Sequence, residues 1–178
     1  MAICVTWIQG VLRIGSSGRF FGKTTAYDLS DQTRETFPAA LVHALRTAGF
    51  QSGEVCLATD ISLIVPSPEQ VPPSSAAVTR SLLQRRADKG KVFPEPISLG
   101  FTQIGRPVKG QPRRVLAHIV PLAWVEQIDK ELLAAGFFFS TLFSTSLAVA
   151  GSGGQAVEEE GAKARLVLAD AESGLLFV

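Results

Sequence analysis

The stretch ICVTWIQGVLRI, residues 3–14, decides how the fold begins. Two short runs of β-branched, aromatic and other apolar residues flank the pair Gln9-Gly10. Strand-forming runs on either side of a two-residue turn that contains glycine predict a β-hairpin. A third strand is predicted over residues 19–27, so the chain opens with a hairpin and one further strand.

Beyond the hairpin, helical and extended patterns alternate. Apolar residues recur at helical spacing over residues 37–48, with proline in the first turn and glycine just past the end, which predicts a helix. Residues 55–58 predict a strand, and residues 61–65 are expected to continue extended. The prolines at positions 66, 68, 72 and 73 are then expected to stop regular structure and mark a boundary.

A second α/β segment follows these prolines. Ser74 or Ser75 can cap a helix that runs to about Lys89, with Gly90 as its stop. The patterns then predict, in order, strands over residues 97–101 and 115–120 and an amphipathic helix over residues 121–135. Further strands are predicted over residues 165–169 and 175–178, with a turn between them.

Composition places the chain among ordinary mixed α/β domains. It has 178 residues, 46% of them apolar, and a net charge of +1, which argues against a dedicated nucleic-acid binder. Charge is nevertheless uneven, because residues 74–114 carry +7 and the remainder −6. The basic segment predicts a solvated surface or a docking face for an acidic protein or an anionic membrane leaflet.

The two cysteines and the longest uncharged stretch bear on the cellular compartment. Cys4 and Cys56 are too few for a disulfide framework or a four-cysteine zinc site, and both are predicted to be buried free thiols. Residues 132–151 carry no charge over a length that could span a bilayer. Five hydroxyl residues and Gly136 interrupt that stretch, so a helix end, a buried strand and a second helix are predicted instead of a membrane span.

The sequence offers no convincing catalytic motif. GSSGRFFGKT, residues 15–24, has the composition of a phosphate-binding loop, but its glycine spacing is wrong for one. His43 and His118 have no neighbouring ligand or base partner in sequence and are predicted to be structural histidines. The run Glu158, Glu159, Glu160 is predicted to be a solvated linker.

Several stretches together resemble PilM-like pilus assembly proteins and the cytoplasmic part of type II secretion protein L. They are VCLATDISLIVP (55–66), FPEPISLGFTQIG (93–105), RVLAHIVP (114–121), ELLAAG (131–136), LFSTSLAVAG (142–151, similar to the family's helix leading to the second domain) and RLVLADAESG (165–174). The resemblance implies the first domain of an actin-like ATPase fold, which is ribonuclease H-like, with an inserted α+β subdomain.

The resemblance also implies a domain organisation. The actin-like core would comprise residues 1–66 and 115–150, and the inserted subdomain residues 67–114. Residues 151–164 would form a flexible connector, and residues 165–178 the start of a truncated second domain.

Nucleotide-binding positions can be carried over from the family only in part. The resemblance places Gln9 and Gly10 in the first phosphate hairpin, and Asp170, Ser173 and Gly174 in the second. The first hairpin lacks the aspartate that holds phosphate and Mg²⁺ in nucleotide-binding relatives, and the glycine spacing of the second is altered. No cofactor is therefore expected, with ATP and Mg²⁺ as the alternative.

The resemblance implies a non-catalytic scaffold of a type IV pilus or type II secretion platform at the inner face of the bacterial inner membrane. Such a scaffold would bind the cytoplasmic tail of a membrane partner, or the motor ATPase, and peripheral membrane association is possible. The predicted partner-binding residues lie on the basic segment: Arg80, Arg85, Arg86, Arg113 and Arg114. The alternative function is a nucleotide-binding ATPase or kinase-like enzyme.

Overall fold

The chain is described by a computed structural model covering residues 2–16, 25–60, 64–105, 108–144, 168–169 and 176–177. Its elements in chain order are β1 (Ala2–Ile8), β2 (Val11–Ser16), β3 (Thr25–Asp28), α1 (Phe37–Thr47), β4 (Gly53–Thr59), β5 (Val65–Val71), α2 (Ala76–Gly90), β6 (Ile97–Ile104), β7 (Arg113–Pro121), α3 (Leu122–Ala134), β8 (Phe137–Ser144), β9 (Leu168–Ala169) and β10 (Leu176–Phe177).

The larger sheet has five strands in the order β3-β2-β1-β4-β8. The predicted hairpin is confirmed, since β1 pairs antiparallel with β2 around the turn at Gln9 and Gly10. β4 pairs parallel with β1, and β8 pairs parallel with β4. Parallel neighbours need crossover connections, and α1 and α3 lie in the two connections that supply them.

Helices α1 and α3 pack on one face of this sheet and enclose the main core. Alternate residues of β1 (Ile3, Val5 and Trp7) point into it and are almost fully buried. The Trp7 indole stacks on the Phe37 ring with centroids 3.8 Å apart and planes 9° apart. Aromatic packing at the sheet–helix junction thus fixes α1 against the first strand.

Strand alternation corrects the prediction for one cysteine. Cys4 lies between the inward-facing Ile3 and Val5, so its side chain points to the opposite face of the sheet, where it is exposed. Its parallel register partner Cys56 is half-buried. Partial burial, together with the nearby Cys56, raises the pKa of the Cys4 thiol.

The smaller sheet has three antiparallel strands in the order β5-β7-β6, and α2 covers one of its faces. The prediction that the prolines stop regular structure was wrong for Pro66 and Pro68, which lie within β5. β5 is an edge strand, where proline is tolerated. Because the two prolines are two residues apart, both missing N–H groups lie on the same side of the strand and can face away from β7.

Several predicted element ends also differ from the structure. Ser75 caps α2 as predicted, with Oγ accepting from the Val78 amide at 3.4 Å. The helix includes Gly90 as its last residue, and Lys91 caps it in the left-handed conformation. Of the third predicted strand, residues 25–28 form β3, and residues 17–24 lie outside the described ranges.

The long uncharged stretch forms a strand where it is described. β8 occupies Phe137–Ser144, so the helix resembling the family's over residues 142–151 cannot begin at Leu142. Residues 145–151 lie outside the described ranges. Among the described helices, none has the length and apolar content that crossing a bilayer requires.

The last two described strands, β9 and β10, pair antiparallel with each other, in line with the predicted strand–turn–strand. The predicted domain boundaries, the connector and the truncated second domain stay predictions.

Candidate functional site

A cleft of about 600 Å³ lies where the two sheets meet. β6 of the smaller sheet lines it with residues 98–102, and β8 of the larger sheet lines it with residues 139–142. Helix α3 contributes Val125, Glu126 and Asp129. The other residues that line the cleft are Ile64, Arg80, His118 and Val120.

Both strands turn their edges toward this cleft. Successive side chains of a strand point to opposite faces, so runs of four and five consecutive lining residues indicate that the strand edge itself borders the space. Within the described ranges, β6 and β8 each have a strand neighbour on one side only. A strand edge presents main-chain N–H and C=O groups for pairing, so two such edges border one cavity.

The side chains of the cleft are a mixture of apolar and hydroxyl groups with a small acidic excess. The rings of Phe101 and Phe139 supply apolar surface, and the lining contains two carboxylates of α3, Glu126 and Asp129, and one cation, Arg80 of α2. The acidic wall contrasts with the +7 charge of residues 74–114.

His118 is the buried polar group of the cleft. Only 8% of its surface is exposed, and its Nδ1 lies 3.3 Å from Ser144 Oγ at the end of β8. Its Nε2 has no hydrogen-bond partner among the described residues. Burial lowers the pKa of this imidazole, so the ring is neutral at pH 7. The prediction of a structural histidine missed that it also lines the cleft.

The residues beside His118 explain its unpaired nitrogen. In the β-ladder, His118 lies opposite Pro66 of β5 and Gly100 of β6. Neither residue carries a polar side chain that could reach the imidazole. A Cβ added to Gly100 would meet nothing within 4 Å, so the strand leaves a notch next to the ring.

Acidification is expected to destabilise the fold through His118. The unfolded chain takes up a proton near pH 6.5, above the folded pKa, so stability is retained above that pH and lost as the pH falls below it. The thermal midpoint, followed by circular dichroism from about pH 7.5 to about pH 5.5, should therefore fall.

His118→Gln should flatten this pH dependence, whereas the exposed His43 gives a matched control, His43→Gln, that keeps it. If the thermal midpoint changed equally with pH in the two variants, the pH dependence could not be assigned to His118.

The predicted first phosphate hairpin contacts other groups of the chain. Gln9 and Gly10 take positive φ angles of 49° and 76°, and the Gln9 amide donates to Asp60 Oδ2 at 3.3 Å. A Cβ on Gly10 would lie 2.6 Å from the Ser30 Cα. Asp60 directly follows β4, and sequence reasoning missed it because only the parallel pairing of β1 and β4 brings it to the turn.

The second predicted hairpin, with Asp170, Ser173 and Gly174, lies outside the described ranges. No three His, Cys, Asp or Glu side chains in the described segments come together as a metal-binding group.

The predicted partner-binding arginines differ in their local contacts, and their role in binding stays a prediction. Arg86 forms a 2.6 Å ion pair with Glu69 of β5, and Arg113 donates to the Ser74 carbonyl. Arg80 lines the cleft, while Arg85 and Arg114 are exposed. Two of the five thus contact other residues of the chain, Glu69 and Ser74, through their guanidinium groups.

A second hollow, of about 680 Å³, lies between β3 and α1. The carboxylates at its rim are engaged locally: Asp28 accepts from the Ser30 amide at 3.0 Å, and Glu35 accepts from the Thr33 hydroxyl at 2.7 Å. These hydrogen bonds lower the pKa of both carboxyl groups. The cleft between the sheets is the stronger candidate, because it contains a buried polar atom without a partner.

Comparison with solved structures identifies the fold. No protein-family profile and no curated protein matches the sequence. The PilM–PilN type IV pilus biogenesis complex contains a chain that superposes with a TM-score of 0.72 at 18% identity, over 89% of this chain and 52% of that chain. This chain has the PilM fold.

The cytoplasmic domain of EpsL, an inner membrane component of the type II secretion system of Vibrio cholerae, shares the fold at lower similarity. Its TM-score is 0.55 at 12% identity, over 83% of this chain and 58% of that chain. The predicted fold class, an α/β domain of the actin-like ATPase fold, is confirmed. The chain spans little more than half the length of each of these two solved structures.

Proposed function

We propose that this chain is a non-catalytic scaffold of a type IV pilus or type II secretion platform. It holds the cytoplasmic tail of a membrane partner as an extended segment in the cleft between β6 and β8. The observation that carries the proposal is the pair of strand edges bordering one cavity. An extended peptide that adds to a sheet edge gains main-chain hydrogen bonds, while pockets beside the edge select its side chains.

The proposal draws support from the protein whose fold it shares, which is part of a PilM–PilN complex in a type IV pilus assembly. The acidic cleft wall adds a charge argument. Cytoplasmic segments of membrane proteins carry an excess of Lys and Arg, and Glu126 and Asp129 complement such a tail. The scaffold would then lie at the cytoplasmic face of the inner membrane; a motor ATPase is the alternative partner.

Nucleotide turnover is disfavoured as the main function. The first hairpin has no aspartate of its own. The Gln9 amide, which the resemblance would direct to a phosphate, donates instead to the Asp60 carboxylate. A scaffold without ATP chemistry is therefore the better account of this hairpin.

A peptide titration tests the proposed function. Labelled synthetic peptides carrying the cytoplasmic tails of inner-membrane platform proteins from the same organism are titrated with the full chain by fluorescence anisotropy. We expect saturable binding of one tail and none of its scrambled sequence. Failure of every tail to bind, or binding of ATP and Mg²⁺ without any tail, would overturn the proposal.

The acidic wall gives a matched pair of variants on α3. Glu126→Gln removes a charge inside the cleft and should weaken binding of a basic tail about twofold to fivefold at low salt, the range of exposed ion pairs. The same substitution at Glu131, which does not line the cleft, should leave affinity unchanged. High salt should remove the difference by screening, and a difference that persists there would argue against a charge effect.

A further inference from the structure

Resting on the proposed function, we propose that His118 is a tail-binding residue of the cleft. Its Nε2 forms a hydrogen bond with a main-chain group of the bound tail, which passes closely over Gly100. This assigns a defined contact point to the tail and predicts that recognition there depends on the tail's backbone and not on its side chain.

The first step of the argument is the state of the imidazole. Buried polar atoms in native proteins nearly always have hydrogen-bond partners, and an exception calls for an explanation. His118 is 8% exposed, and its Nε2 lacks a partner among the described residues although the ring lines a cavity. A ligand in the cavity can supply the missing partner.

The second step is the shape of the wall beside the ring. Gly100 lies opposite His118 in the ladder, and its missing side chain leaves open space on that face. Glycine within a strand often marks a place where another backbone approaches closely. Its φ is not positive, so the turn-like conformations that demand glycine do not account for its presence here.

The third step is the chemistry of the partner. The neutral ring has one nitrogen that donates and one that accepts, and the Ser144 hydroxyl at Nδ1 can take either role. Nε2 therefore needs either an acceptor or a donor. A peptide main chain offers C=O and N–H groups in alternation, so an extended tail satisfies either tautomer.

The groups that line the same cavity leave this role to His118. The charged residues Arg80, Glu126 and Asp129 are exposed, whereas the His118 imidazole is buried. Charged groups at an exposed rim affect the rate of association and the salt dependence of binding, while a buried hydrogen bond controls dissociation. We therefore expect loss of the His118 contact to raise the dissociation rate.

The test combines two variants with a backbone scan of the tail. His118→Leu should weaken binding of the tail about tenfold, the effect of leaving one ligand group unpaired. His118→Gln, which keeps a polar atom near the Nε2 position, should stay within about threefold of the wild type. Single ester replacements along the tail should reveal one position whose effect disappears in His118→Leu, as a double-mutant cycle reports.

A measurement on the wild-type chain keeps the test independent of variant folding. The imidazole ¹⁵N resonances of His118 should shift at Nε2 when the tail is added, while those of the exposed His43 should not. If the tail binds but neither the ¹⁵N shift nor the coupled position appears, the role of His118 is wrong and the scaffold proposal survives. If no tail binds, the proposed function itself has failed.

Discussion

Gly100→Val weakens binding of the partner tail at least tenfold and leaves the fold intact: this is the result we expect. A Cβ at position 100 would lie in open space beside His118, with no atom of the protein within 4 Å, so we expect the chain to accommodate the substitution. Valine also favours the strand conformation more than glycine does. The added methyl groups fill the notch through which the tail's main chain would pass. Anisotropy titration measures the affinity, and circular dichroism checks the fold.

The control uses the same strand and the same new side chain. Gln103 is exposed and does not line the cleft. It lies on the opposite face of β6, because it is three positions along the strand from Gly100 and side chains alternate between faces. Gln103→Val should bind the tail like the wild type. Wild-type affinity of Gly100→Val would contradict binding along β6, and an equal loss in both variants would show that the effect is not local.

Phe37→Ala should lower the free energy of unfolding by about 3–5 kcal/mol, the usual cost of deleting a buried aromatic side chain. The Phe37 ring is fully buried, stacks on Trp7, and lies 6.1 Å from the Trp124 ring centroid. Alanine would leave a cavity where α1, α3 and the sheet meet. Urea unfolding followed by tryptophan fluorescence measures the loss.

Phe138 provides the matched control for this prediction. It has the same side chain but is 65% exposed on the other face of the sheet. Phe138→Ala should change the free energy of unfolding by no more than about 0.5 kcal/mol, as is typical of surface substitutions. Similar losses in both variants would contradict the assignment of the core to the face covered by α1 and α3.

Much of the fold was predictable because its signals are local. The hairpin around Gln9 and Gly10 follows from turn chemistry, and α1 and α3 follow from apolar spacing. β5 was missed because proline is unfavourable in a strand in general, whereas the position of the strand in its sheet decides whether it is tolerated. Sequence patterns alone do not reveal which strand becomes an edge.

The candidate site was less predictable because topology assembles it. β6 and β8 are separated along the chain by β7 and α3, and only the packing of the two sheets brings their edges to one cleft. Asp60 reaches the first turn through strand pairing, not through sequence proximity. The sequence did contain a signal for His118, because it is the one polar side chain in the buried run of β7, residues 115–121. Its significance depends on Pro66 and Gly100 beside it.

The prolines of β5 make the smaller sheet able to grow on one side only. A strand that offers no N–H at two successive ladder positions is a poor template for another chain, whereas β6 on the opposite side has no proline within Ile97–Ile104. A sheet whose two edge strands can both pair with another chain can form open-ended assemblies by edge-to-edge pairing. Under the proposed function, this sheet would accept one added strand, at β6, because the prolines disfavour strand addition at β5.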